Sequence, residues 1–297
     1  MQHVHPAPPA PAAYSPDRLQ RDWDFEPGEV EGWRRRQLVR TVLTQAIRRP
    51  ASRLLTAPAP RALWALYFIF SSSGQLTPAH RFTLSRLKDE GFAVLVVFAC
   101  PHADRLSAEI HRLADAVCWK AEPGYDFSAY AIGLEAIADG SPGSAVLVLN
   151  DSVLGPFAPL RPFVERSRWE FSGFTASSVM GNHIQSYAFV LKAVTRARLR
   201  GLWSVLFPWI ALARRDDVIA CQETRLGRVA ARHMSTGAHW YYRGADATQV
   251  GPMQLLDQGF PFVKRSLFTG RSSFAHKAAM AERVDALGHP SPDRPAA

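Results

Sequence analysis

Four short polar segments of this chain have the residue types that could cradle a phosphorylated ligand. They are Ser71-Ser72-Ser73-Gly74, Cys100-Pro101-His102 with Asp104, Gly124-Tyr125-Asp126, and Asn150-Asp151-Ser152 with Gly155. Small side chains and free backbone N–H groups suit a nucleotide and its phosphates. Taken singly, each segment also reads as ordinary turn chemistry. Other chemistries lack their motifs. There is no GxGxxG for a dinucleotide, no GxxxxGK[ST] for a P-loop, no GxSxG elbow and no HExxH zinc helix.

Each polar segment follows an apolar run of strand character. Residues 62–71, 92–99, 116–120 and 144–150 read as strands, the longer ones apolar throughout, as in a buried parallel sheet. Helical patterns over residues 78–90, 103–114 and 127–138 separate them. Strands alternating with helices predict βαβ units, and ligands then sit beyond the carboxyl ends of the strands. Past Asp151 the pattern changes. Residues 157–166 read as a short helix, and 169–175 and 185–191 as two strands extending the sheet in antiparallel fashion. Residues 193–212 and 217–234 read as helices. The expected fold is α/β: a Rossmann-type, mostly parallel sheet flanked by helices, with an antiparallel extension and a helical C-terminal part.

The organisation expected around that core has four parts. Residues 1–16 are a Pro/Ala-rich tail with nothing to bury, and 17–60 a basic helical extension ending in the Thr56-Ala57-Pro58-Ala59-Pro60 linker. Residues 61–276 are the main domain, and 277–297 a polar tail. The net charge of +9 raises nucleic acid, an anionic membrane surface and a phosphorylated small molecule as partners. No nucleic-acid motif accompanies the charge, so nucleic acid is not expected. The Arg34-Arg35-Arg36 cluster with Arg40, Arg48 and Arg49 either solvates one face of a packed helix or touches anionic lipid. Three dispersed cysteines, Cys100, Cys118 and Cys221, read as reduced core residues of a cytoplasmic protein. No secretory leader is visible, and no apolar run reaches the ~20 residues of a membrane span.

Five separated blocks carry a resemblance. Gly124-Tyr125-Asp126-Phe127, the run Leu147-Val148-Leu149-Asn150-Asp151-Ser152-Val153-Leu154-Gly155-Pro156, Phe171-Ser172-Gly173-Phe174-Thr175, His183-Ile184-Gln185-Ser186-Tyr187 and Pro261-Phe262-Val263-Lys264-Arg265 resemble the rhamnan synthesis protein F family. More distantly, the passage from Gly124 to Pro156 is similar to family 2 glycosyltransferases. The resemblance covers about residues 62–267 and implies a GT-A-like glycosyltransferase domain. It implies a nucleotide-sugar donor such as dTDP-rhamnose, and a glycan or lipid-linked glycan acceptor in a bacterial surface polysaccharide such as a lipopolysaccharide O-chain. The expected location is then the cytoplasm, with peripheral contact to the inner membrane.

The resemblance also assigns residues. Asn150, Asp151 and Ser152 stand at the DxD-type motif, where carboxylates hold Mg²⁺ or Mn²⁺. Here only the middle position is acidic, so Asp151 is the one expected metal ligand. Asp126 either accepts from donor hydroxyls or caps the helix that follows it. Tyr125 either stacks on a base or sugar or packs in the core. Glu223 stands where the family carries a Glu and is the expected general base; its other reading is a solvated helix-face residue. His183 and Gln185 come from one block as a catalytic and a substrate-binding candidate. Lys264, with Arg265, is expected near phosphate.

Overall fold

The computed structural model describes residues 14–28, 32–269, 272 and 274–290. Most of the expected N-terminal tail and the last residues of the C-terminal one thus lie outside the described residues. So do the side chains of Arg34 and Arg35. In chain order the strands are β1 (Leu19–Asp24), β2 (Ala46–Arg48), β3 (Ser52–Thr56), β4 (Leu63–Phe70), β5 (Ala93–Ala99), β6 (Ala116–Lys120) and β7 (Ser144–Asn150). They continue as β8 (Val153–Leu154), β9 (Phe171–Ser177), β10 (His183–Ile184), β11 (Ala188–Val194), β12 (Ile210–Leu212), β13 (Thr236–Tyr242) and β14 (Val263–Lys264). The α-helices are α1 (Gly32–Gln45), α2 (Pro78–Asp89), α3 (Ile110–Leu113), α4 (Tyr125–Gly140), α5 (Arg161–Glu165) and α6 (Arg196–Leu202). Then follow α7 (Arg215–Val218), α8 (Thr224–Ala230), α9 (Ala247–Val250), α10 (Pro252–Asp257) and α11 (Lys277–Ala286).

One large sheet organises the chain, in the order β1-β13-β9-β11-β7-β4-β5-β6-β3. Its centre, β7-β4-β5-β6, is parallel throughout. β11 runs antiparallel to both β7 and β9, which gives the expected extension. Side chains alternate along β4: Trp64, Leu66 and Phe68 enter one buried layer, while Ala65, Tyr67 and Ile69 enter the other. Helices α4, α6 and α8 cover the first face, and α2, α3 and α5 the second. The result is a mixed α/β fold with a mostly parallel central sheet flanked by helices.

Local sequence explains how the site-bearing helices start. Thr77 caps α2: its hydroxyl accepts from the His80 N–H, while His80 Nδ1 accepts from the Thr77 N–H at 3.1 Å. Gly124 opens α4 in a left-handed conformation, φ 95°. A Cβ there would stand 2.8 Å from Ala211 Cβ and 2.9 Å from Pro50 Cγ, so both space and backbone require glycine.

The N-terminal segment departs from expectation. It is not a helical extension set apart by a linker. After α1 it forms two strands, and β1 and β3 supply the two edges of the main sheet. The helical spacing around Ile47 and Leu54 is overridden because β2 and β3 find strand partners in β12 and β6. The chain is tethered directly after the supposed linker: the Arg61 N–H donates to Ser141 Oγ at 2.8 Å, at the end of α4. Residues 193–212 are likewise only partly helical. After α6 the chain turns into β12 to pair with β2. The expected polar C-terminal tail begins as α11, with Met280 and Val284 fully buried against Leu154, Val263 and Leu267. Its few apolar residues recur at helical spacing, enough to dock one face. Among the described residues no helix is long and apolar enough to cross a membrane.

Candidate functional site

The strand order reverses between β4 and β7. From β4 the chain proceeds outward to β5 and β6, then returns to place β7 on the other side of β4. Such a switch point leaves a crevice at the carboxyl ends of the two strands. A cavity of about 890 Å³ opens there, lined by residues from β4, β7, the loop before α4, α7 and β14. That volume suits a ligand of nucleotide size.

At its floor, Asn150 ends β7. Its Nδ2 donates to Asp126 Oδ2 at 3.0 Å, and its Oδ1 accepts from the Ser152 N–H at 3.1 Å and from the Ser152 hydroxyl. Asp126 Oδ1 accepts from the Phe127 N–H at 2.9 Å. Asp126 therefore helps satisfy the first turn of α4, whose N-cap is Gly124, and also lines the cavity. Burial, and next the nearby charge of Glu223, push its carboxyl from 3.8 up to about 6.

Asp151 is turned back toward β4. Its Oδ2 accepts from the Phe70 N–H at 3.1 Å and lies 3.5 Å from His80 Nε2. Because His80 Nδ1 accepts from Thr77, the ring proton sits on Nε2, facing that carboxylate.

The loop before α4 is held by a lysine that sequence reasoning passed over. Lys120 is fully buried at the end of β6. Its Nζ donates to the carbonyls of Ala121 at 2.8 Å, Glu122 at 3.3 Å and Pro123 at 2.6 Å. Burial lowers its pKa from 10.5 to about 8, opposed by the charges of Asp126 and Glu122. The clamped loop delivers Gly124 and Tyr125. Tyr125 has φ 49° and is 43% exposed on the cavity rim, so it does not pack in the core.

Glu223 faces this floor from a π-turn, Ile219–Glu223, wedged between α7 and α8. A π-turn rotates side chains off the regular helical positions and recurs at functional sites. Glu223 Oε1 accepts from the Ser186 N–H at 3.0 Å and the Ser186 hydroxyl at 3.1 Å. The opposite wall is cationic. Lys264 Nζ sits 3.8 Å above the Tyr187 ring, and Arg265 and Arg215 line the same cavity. Desolvation lowers the pKa of Lys264 despite the through-space pull of Asp246, Glu223 and Asp126.

Of the residues expected to act, Gly124, Tyr125, Asp126, Asn150, Asp151, Ser152, Glu223 and Lys264 thus line one cavity. Two do not. His183 is buried on β10, its Nδ1 2.9 Å from the carbonyl of Gly181, so it fastens its own turn. Gln185 is buried too. Its Nε2 donates to Asp246 Oδ2 at 2.7 Å and its Oε1 accepts from Thr175. The same block supplies Ser186 and Tyr187 to the cavity instead, from the connection between β10 and β11. His80, Lys120, Ser186, Tyr187 and Arg215 were missed. A lysine closing an otherwise apolar strand was the one available signal among them.

The metal expected from the resemblance does not fit these donors. Asp151 alone is acidic at the strand end, and its Oδ2 is taken by Phe70 with His80 close by. Asn150 Oδ1 is filled by two Ser152 donors, and both Asp126 oxygens accept. Among the described residues no group of three or more His, Cys, Asp or Glu side chains could hold a metal ion.

Comparison with solved structures finds similarity to a protein of Desulfovibrio desulfuricans G20 described as a nucleotide-diphospho-sugar transferase. The identity is 10%, over 75% of this chain and 96% of that one, with a TM-score of 0.38. HddC from Yersinia pseudotuberculosis is 9% identical over 62% of this chain and 92% of its own, TM-score 0.35. S. aureus TarS is 10% identical over 75% of this chain and 43% of its own, TM-score 0.35. No protein-family model and no curated protein matches the sequence.

Proposed function

We propose that the chain is a glycosyltransferase that moves a sugar from a nucleotide-activated donor to a glycan acceptor of a bacterial surface polysaccharide, with rhamnose as the first sugar to test. The observation that carries the reading is the polarity of the switch-point cavity. Asp126 and Glu223 form an acidic floor, Lys264, Arg265 and Arg215 a cationic wall, and Tyr125 an exposed aromatic rim. A nucleotide sugar has matching parts: a base that can stack, a diphosphate that needs cations, and a sugar whose hydroxyls seek carboxylates.

In the transfer, the bond between the sugar's anomeric carbon and the diphosphate oxygen breaks as the acceptor oxygen bonds to that carbon. The leaving diphosphate takes the electron pair, and the acceptor hydroxyl must lose its proton. Glu223 would receive it. Ser186 holds Oε1, and Oε2 has no partner among the described residues. Asp126, fixed by Asn150 and Phe127, would orient donor hydroxyls. The neutral Asn150 and Ser152 favour one second reading, a glycan-binding assembly protein that retains the fold.

Titration calorimetry against UDP-, GDP- and dTDP-sugars, paired with an assay for donor turnover in the presence of acceptor glycan, tests this. The expected result is binding of one nucleotide class, weakened at least about tenfold by Asp126→Ala, and turnover lost in Glu223→Gln with binding retained. Oligosaccharide binding without nucleotide binding would establish the second reading instead. No heat with any nucleotide sugar would remove the first.

A further inference from the structure

The charge of a bound diphosphate must be balanced, and the residues expected to do so through a divalent cation are already engaged with one another. The opposite wall offers an alternative. β14, which carries Lys264, pairs antiparallel with β8, setting Lys264 opposite Val153. The next residue is clamped as well: the Arg265 N–H donates to the Ser152 carbonyl at 2.8 Å. Two cations are thereby fastened by backbone to the segment that leaves the Asn150-Asp151 strand end. Arg215 stands at the start of α7, just ahead of the π-turn that carries Glu223. All three line the same cavity.

None of the three is neutralised by an ion pair among the described residues. Elsewhere the arginines pair readily, as in Arg49 with Glu135 at 2.9 Å, Arg81 with Glu109 at 2.9 Å and Arg198 with Glu170 at 2.8 Å. Lys264 rests over the Tyr187 ring, which steers the ammonium without using its N–H donors. Burial lowers its pKa against the pull of Asp246, Glu223 and Asp126, and Arg215 adds a smaller lowering. Lys264 and Arg265 are half-buried, and leaving partly desolvated charges unpaired is costly unless a ligand compensates them.

We propose that Lys264, Arg265 and Arg215 form the diphosphate subsite, so that a nucleoside diphosphate binds without a divalent cation. This rests on the nucleotide-sugar reading of the same cavity. Two arginines and a lysine can do electrostatically what a metal does for a departing diphosphate, with guanidinium groups adding paired hydrogen bonds to the phosphate oxygens. Lys264 and Arg265 are held in place by backbone pairing, so little backbone reorganisation is needed there as negative charge grows on the leaving group.

The test is calorimetric binding of UDP, GDP and dTDP to the full chain, in EDTA and in Mn²⁺ or Mg²⁺, with Lys264→Ala, Arg265→Ala, Arg215→Ala and the charge-keeping Lys264→Arg and Arg215→Lys. Circular dichroism confirms that each variant is folded. The expected result is one nucleotide class bound with equal affinity, within about twofold, in EDTA and in metal. Each alanine weakens it about tenfold or more, the charge-keeping variants recover most of the loss, and rising salt weakens the wild type more than the variants. Binding that requires a divalent cation overturns the inference and leaves the nucleotide reading standing. Metal-independent binding that survives all three alanine substitutions overturns the assignment of the subsite. Failure of all three nucleotides under both conditions overturns the nucleotide reading itself.

Discussion

The side-chain amide of Asn150 donates to the carboxylate of Asp126 at 3.0 Å, joining the end of β7 to the first turn of α4. The position that would hold a metal-binding acid in the DxD-type pattern is thus occupied by a donor. It binds a carboxylate instead of a cation. This one exchange of acid for amide lets Asn150 link Ser152 to Asp126 in a chain of hydrogen bonds.

Asp126 makes the fold pH-dependent in an unusual direction. The folded chain keeps its proton up to about 6, while the unfolded chain releases it near 3.8. Between those values the folded chain binds more protons, so its stability falls as pH rises through that window and then stays at the lower level. The size is on the order of 2–3 kcal/mol. Urea unfolding at both ends of the window should show this decline in the wild type and a weaker one in Asp126→Asn. Glu223→Gln removes the second cause of the shift, so the decline should move to lower pH. A wild-type slope identical to that of Asp126→Asn would contradict the assignment.

Lys120 should matter more for loop order than for global stability. Lys120→Met takes away the donor to three carbonyls, a loss of about 1–2 kcal/mol each where they stay buried. It also abolishes the cost of burying an ammonium, which is of similar size for a pKa held at about 8 instead of 10.5. The two effects nearly offset, so unfolding free energy at neutral pH should change by less than about 2 kcal/mol. Amide exchange over residues 121–126 should nonetheless accelerate strongly. A second signature follows from the same shift. Between about 8 and 10.5 the folded wild type binds fewer protons than the unfolded chain, so its stability rises with pH there relative to the variant.

How much of this was legible in the residues differs by element. β4, β5 and β7 are apolar on both faces, and that composition admits little except a buried parallel strand. That a ligand should sit beyond their carboxyl ends followed from the alternation with helices, but the switch point between β4 and β7 appears only in the sheet order. Short edge strands were not legible. Ala46–Arg48 and Ser52–Thr56 become strands only because partners far along the chain supply the hydrogen bonds. His183 and Gln185 misled for a related reason. Residue type suggested chemistry, but His183 bonds back to the Gly181 carbonyl and Gln185 to Asp246 and Thr175, while Ser186 and Tyr187 line the cavity. Arg215 lacked any local signal, since it stands among charged neighbours, Arg214, Asp216 and Asp217, and only the fold brings it to the cavity.

Gly124 and Tyr125 are consecutive left-handed residues, and they should respond to substitution in opposite senses. Gly124→Ala meets φ 95° and contacts under 3 Å with Ala211 and Pro50, and should destabilise by about 2 kcal/mol or more. Tyr125→Gly relieves a non-glycine φ of 49° and gives up little buried area, because the ring is 43% exposed. It should leave stability unchanged or raise it by up to about 1 kcal/mol. If the ring forms the stacking rim of the donor site, the same variant should bind the nucleotide more weakly. Stability rising while affinity falls would show strain retained for ligand contact. A fall in both would mean that the ring packs more than it binds.

The outer face of α1 gives the remaining prediction. Val39 and Leu43 are 56% and 80% exposed, lie one turn apart on the same face, and stand beside Arg36 and Arg40. Trp209 is 69% exposed just ahead of β12, which pairs with the strand that α1 leads into. Exposed apolar side chains among arginines suit the boundary between lipid headgroups and acyl chains. Each arginine near an anionic surface contributes about 1 kcal/mol, and each apolar side chain that inserts about 1.5–3 kcal/mol. The sum predicts weak, reversible, salt-sensitive attachment. The full chain should therefore co-sediment with vesicles containing phosphatidylglycerol and not with pure phosphatidylcholine. Leu43→Asp should remove most of that binding, and Arg40→Ala should shift it to lower salt. Binding to anionic vesicles that Leu43→Asp leaves intact would assign the attraction to the overall charge of +9, with no part played by this helix.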